Sequence, residues 1–121
     1  MALLNRVQKS ARLDLSGIVR FQVALHCHFN GIVVTDADLD CLTLLAINGE
    51  SGLSDFCQLA SDQDIFSSAQ SVRNALTKAE GKNLIQKSGR SRKKISLDPS
   101  MKIQTEGNIL VEVKAVRTDG T

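Results

Sequence analysis

The chain has 121 residues, 42% of them hydrophobic, with three Cys, four Phe, no Trp and no Tyr. That is enough for one domain with a core of its own, without a disulfide framework or a structural metal. So few aromatic rings argue against the stacking platforms of single-strand and RNA binders, and no apolar run approaches the length that crosses a bilayer. The net charge of +2 conceals a sorting along the sequence: residues 34–66 carry −7 with no Lys or Arg, and residues 67–102 carry +7. A domain polarised in this way can turn one face toward a polyanion while another face repels it.

Residues 1–16 read as a short basic tail or a short helix (Arg6, Lys9, Arg12) with no signal-peptide core, and the chain is expected to be cytoplasmic. From Val19 to Phe29 apolar residues alternate with Arg20, Gln22, Ala24, His26 and His28, which predicts a half-buried strand over 19–29 ended by Asn30-Gly31. On a strand, His26 and His28 share a face. No third ligand stands near them, so the residues predict no metal site. Thr35 and Asp38 have the spacing of a capping box, and Asp36, Asp38 and Asp40 suit the positive end of a helix over 36–48 that stops at Asn48-Gly49. Ser54 is expected to cap a shorter helix over 54–60, with Ser61 to Asp64 irregular and Ile65 and Phe66 pinning the connection to the core.

Ser67 or Ser68 then caps a third helix over 69–82. Val72, Ala75, Leu76 and Ala79 recur at helical spacing and face inward; Gln70, Ser71, Arg73, Asn74, Thr77 and Lys78 remain outside. Asn83 can take the left-handed conformation that ends a helix. Leu84–Lys87 and Lys94–Leu97 read as two short strands joined through Gly89, and Asp98-Pro99 ends the second. A last alternating run predicts a strand over 108–116. Cys27, Cys41 and Cys57 lack any paired spacing. Cys41 and Cys57 lie among apolar residues and read as small core side chains, consistent with a reducing compartment.

Gln70 to Ile85, followed by a basic turn and Lys93-Lys94-Ile95-Ser96-Leu97, resembles the recognition helix and wing of MarR-like and related winged-helix proteins. Glu80-Gly81-Lys82-Asn83-Leu84-Ile85 stands where those families carry a Glu-x-x-Gly-Leu-Ile type element, with Asn83 in place of the usual Gly. Gly81 within the helix and the long connection before Ser67 depart from the pattern. The resemblance covers about residues 32–98. It implies an α+β winged helix-turn-helix of three helices and a β-hairpin wing; the alternating runs add flanking N- and C-terminal β-strands, all within one domain spanning 17–121.

The same resemblance implies binding to double-stranded DNA in transcriptional or replication control. Gln70, Asn74 and Arg73 would read base edges, and Ser71, Thr77 and Lys78 would lie toward the backbone. Lys87, Arg90, Arg92, Lys93 and Lys94 would meet phosphates from the wing. A homodimer through the terminal strands is expected, with no cofactor, no small-molecule substrate and no enzymatic constellation. Cys27 points away from both His on a strand, so a Cys–His pair has poor geometry. Winged helices also serve as protein-interaction modules, and an adaptor within a larger assembly is the alternative.

Overall fold

The computed structural model of the chain describes residues 13–107. They form an α+β arrangement of four helices and a three-stranded antiparallel sheet. In chain order these are α1 (Leu15–Phe29), α2 (Asp36–Asn48), β1 (Ser51–Gly52), α3 (Leu53–Asp62), α4 (Ala69–Gly81), β2 (Ile85–Ser88) and β3 (Lys94–Leu97), with single 3-10 turns at Arg90–Arg92 and Pro99–Met101. The sheet order is β1-β3-β2. Among the described residues no helix is long and apolar enough to cross a membrane.

The expected strand over 19–29 is a helix. Asp14 caps it, its side chain accepting a 2.7 Å hydrogen bond from the Gly17 N–H. The apolar alternation misleads because a period of two contains a period of four. Val19, Val23 and Cys27 belong to the alternating set, yet they also recur at i, i+4 and i+8, and these three are buried. Phe21 and Phe29, which a strand would have turned to the same side, are exposed. Arg20 ties α1 to the start of α2, its Nε 2.9 Å from Asp40 Oδ1 and its Nη2 3.3 Å from Asp36 Oδ1. The helix also begins inside the stretch expected as a tail or short helix, since Leu15 and Ser16 belong to it. The strand half of the expected dimer contact is thereby removed. Residues 108–116, its other half, lie outside the described residues.

α2 forms as the sequence predicts. Thr35 Oγ1 accepts from the Asp38 N–H at 3.1 Å, and Asp38 Oδ2 accepts from the Thr35 N–H at 3.0 Å, a reciprocal capping box. Gly49, at φ +74°, ends the helix in the left-handed region that a side chain would disfavour. α3 starts one residue earlier than predicted, on Gly52 without a side-chain cap, and runs on to Asp62. Ser54 therefore lies within its first turn. α4 opens on Ser68, whose side chain accepts from the Ser71 N–H, and Asn83 follows it at φ +60°.

Two helix pairs build the body: α1 packs on α2 and α3 on α4, while α2 and α4 also meet the sheet. The core where they converge holds Val19, Val23, Leu42, Leu45, Phe56, Val72, Leu76, Leu84 and Ile95, all at most 2% exposed. The hairpin register pairs Ile85 with Leu97 and Ser88 with Lys94. β1 adds to the far side of β3, Ser51 opposite Ile95 and Gly52 opposite Lys94. The Leu53 N–H then donates to the Lys93 carbonyl at 2.7 Å, so the first residue of α3 is held by the hairpin's return strand.

Candidate nucleic-acid interface

α4 supplies the first half of the site. Val72, Leu76 and Ala79 are buried and fix the helix, and Ala75 is half-buried beside them. Gln70, Asn74, Thr77 and Lys78 are exposed, so this face is polar and free of carboxylates up to Glu80. Gln70 Nε2 donates to Asn74 Oδ1 at 3.1 Å, joining successive turns of the face. Ser71 is half-buried, its hydroxyl 3.1 Å from that of the capping Ser68. The Thr77 hydroxyl turns back to the Arg73 carbonyl at 3.0 Å.

Arg73 departs from the outward position expected of it. It is half-buried, and its Nη2 donates to Ser54 Oγ of α3 at 2.9 Å. The guanidinium is thus held against the first turn of the preceding helix, which restricts its rotamers before any ligand arrives. Ser54, read from sequence as a cap, is instead this partner. No local signal reveals the contact, because it spans two helices.

The hairpin supplies the second half. Arg90, Arg92, Lys93 and Lys94 are exposed around its tip, and Lys87 is half-buried in β2. The tip is tightly wound: Gly89 has φ +79°, and Ser91 and Arg92 have φ +57° and +54°. Non-glycine residues in this region cost on the order of 1–3 kcal/mol each, so neighbouring contacts must hold the turn. Glu80, in the last turn of α4, does so. Its carboxylate pairs with Arg92 Nη2 and lies 3.6 Å from Lys87 Nζ. Glu50, from the turn after α2, lies 3.8 Å from Lys94 Nζ and accepts a 3.4 Å hydrogen bond from Ser88. Among the described residues, Arg90 and Lys93 make no ion pair.

The two halves are consequently linked. Gln70, Asn74 and Lys78 project from α4, the hairpin cations surround Gly89, and Glu80 clamps the end of the helix to the hairpin. Sequence reading identified the cations but not the acids that hold three of them. Glu80 is one of two acids, with Asp98, in the basic stretch 67–102, and its partners Lys87 and Arg92 are brought to it by the fold.

His26 and His28 no longer share a face, because residues two apart on a helix point in nearly opposite directions. Among the described residues no group of three or more His, Cys, Asp or Glu is placed to hold a metal ion. Cys27, Cys41 and Cys57 are buried and unbridged. Burial raises the pKa of all three thiols, that of Cys41 to about 12. Comparison with models of known protein families, with curated proteins and with solved structures finds no match.

Proposed function

We propose that residues 36–97 form a winged helix-turn-helix that binds duplex DNA in transcriptional or replication control. The observation that carries this reading is the short strand β1, set between α2 and α3 and paired with the return strand of the hairpin. Helix, short strand, two helices and a hairpin closed in the order β1-β3-β2 are the parts and the pairing that such a domain requires. In that arrangement α4 enters a major groove with its N-terminal half leading, and the hairpin reaches the flanking backbone. Gln70 and Asn74 meet base edges, and Arg73, held by Ser54, meets a guanine edge or the adjoining backbone. Ser71, Thr77 and Lys78 lie toward phosphates. Arg90 and Lys93 provide charge that the protein itself leaves unpaired among the described residues, and Lys87, Arg92 and Lys94 are available by exchange of a carboxylate for a phosphate.

A protein-interaction adaptor is the second reading, favoured by one specific observation. Three of the five hairpin bases already meet carboxylates of the same chain. Titration of the intact chain with generic duplex DNA at increasing salt separates the two. DNA binding gives a log–log slope of about −0.9 for each phosphate contacted. Absence of duplex binding at low salt would reject the first reading.

A further inference from the structure

α1 is apolar on two faces. One, formed by Val19, Val23 and Cys27, is buried against the body. On the other, Asp14, Ile18, Phe21, Leu25 and His28 follow one another at spacings of four, three, four and three, the heptad spacing of a helix–helix seam. Leu15 and Phe29 stand two heptads apart on one flank of this row. Phe21 is 44% exposed, Phe29 66% and Leu15 43%, where a surface helix ordinarily carries polar side chains. The only Lys, Arg, Asp or Glu within α1 is Arg20, and it is turned to Asp36 and Asp40. The row is symmetric about its middle. Asp14 stands seven residues before Phe21 and His28 seven after it, and both are exposed. Ile18 stands three before and Leu25 four after.

We propose that the outer face of α1 is a homodimer contact, packed antiparallel against α1 of a second copy with Phe21 of both copies at the two-fold axis. It takes the place of the contact expected of a strand over 19–29. Charge complementarity selects this occupant. In a two-fold contact each surface must fit itself. A face with one sign of charge would repel its copy, whereas this one is uncharged along its middle and carries an acid at one end and an imidazole at the other. Antiparallel pairing sets the Asp14 carboxylate of each copy beside the His28 imidazole of the other, whose N–H can donate to it. Asp14 keeps its place as the cap, since one of its oxygens accepts from the Gly17 N–H and the second remains for the imidazole. Ile18 of one copy comes against Leu25 of the other, and Leu15 against Phe29. A parallel pair would instead set Asp14 against Asp14 and align the two helix dipoles. The strip is about 22 Å long and about 10 Å wide, less than the ~800 Å² that each partner gives to a standard interface, so the association is weak and depends on concentration.

Sedimentation velocity of the full chain across the micromolar range tests the association, and the expected result is a coefficient that rises from monomer to dimer. Phe21→Glu sets two carboxylates at the axis and should weaken the dimer by about tenfold or more. Its melt by circular dichroism should stay close to that of the unsubstituted chain, because residue 21 is exposed; Phe29→Glu serves if that melt falls. His28→Glu should weaken the dimer and His28→Lys should preserve it. Cross-linking under a mild oxidant reports the direction of the helices. Residues 21 of two antiparallel copies are neighbours, whereas residues 29 lie ~24 Å apart along the axis. Phe21→Cys should therefore give a disulfide-linked dimer and Phe29→Cys none, with the unsubstituted chain, whose three thiols are buried, as the control. A monomer at every concentration would overturn the proposal. So would a dimer that Phe21→Glu and Phe29→Glu both leave intact, or cross-linking through residue 29, which a parallel pair would give. No nucleic acid is present, so the outcome does not depend on the DNA reading.

Discussion

Side chains on neighbouring turns of α4 have opposite tasks, and substitution separates them. Leu76 is 1% exposed, and Leu76→Ala should lower stability by about 2–5 kcal/mol through the cavity it leaves, read as a fall in the thermal midpoint. Asn74 is exposed, and Asn74→Ala should shift stability by no more than about 0.5 kcal/mol. If Asn74 meets a base edge, the same change costs about 1–3 kcal/mol on a selected duplex and less on a random one. Ser54→Ala tests the clip that holds Arg73. It should weaken duplex binding less than Arg73→Ala does, because the guanidinium remains but is no longer oriented. Equal losses would mean that Arg73 acts only through this contact. Cys41 gives a pH signature. Burial, reinforced by Asp38 and Cys57, raises its thiol from the ordinary 9.0 to about 12. The folded state thus keeps a proton that the unfolded state releases. This contribution is fully present below pH 9 and is lost as pH rises toward 12, at up to about 1.4 kcal/mol per pH unit. Alkaline urea melts should show that decline, and Cys41→Ala should flatten it.

Among the elements, those with local chemical punctuation were legible in the sequence. The Thr35–Asp38 box, the Gly49 stop, the Ser68 cap, Asn83 after α4 and the Gly89 turn each act through backbone bonds within a few residues, so α2, α4 and the hairpin were readable from residue types alone. α1 was not, because its apolar pattern satisfies two periods at once. The deciding groups were Asp14, which lay in the stretch expected as a tail or short helix, and Arg20, whose partners are in another helix. β1 is two residues long and exists only through its pairing with β3, a contact across the fold that no local pattern encodes. The candidate site divides in the same way: its cations were legible, whereas Ser54, Glu50 and Glu80 joined it only through tertiary contacts. The cap of α1 can be tested directly. Asp14→Ala removes the acceptor for the Gly17 N–H and should cost about 1 kcal/mol, with a loss of helical ellipticity on heating at a lower midpoint. A strand over residues 19–29 would not respond to this change, so an unaltered melt would count against the helix.

For the whole molecule, the sorting of charge along the sequence becomes an arrangement in which acids restrain the basic face. Asp36 and Asp40 of the acidic stretch hold Arg20 at the junction of α1 and α2, while Glu50 and Glu80 reach the hairpin. If the hairpin meets DNA, its cations fall into two groups. Arg90 and Lys93 form no ion pair among the described residues and can engage phosphates at once, whereas Lys87, Arg92 and Lys94 must first leave a carboxylate. The Lys94–Glu50 pair is exposed on both sides, and exposed pairs are typically worth no more than about 1 kcal/mol, so a phosphate can compete for Lys94; Arg92 is exposed but its partner Glu80 is half-buried, as are both members of the Lys87–Glu80 pair. Replacing Arg90 and Lys93 together with Ala should therefore weaken binding to every duplex and flatten the log–log salt slope by about two units. Glu80→Gln should act in the other direction. It releases Arg92 and Lys87 and removes a negative charge from the interface, so generic-duplex affinity at low salt should rise and the slope should steepen. The same change also removes the contact that holds the left-handed tip, and a hairpin that loses its position would bind more weakly instead. Salt titrations of the intact chain, Arg90→Ala/Lys93→Ala and Glu80→Gln on one random duplex distinguish these cases. A steeper slope for Glu80→Gln assigns Glu80 to restraint of charge. A shallower slope with a lowered thermal midpoint assigns it to placement of the hairpin. An unchanged slope in both variants would remove the hairpin from the interface and leave α4 to bind alone.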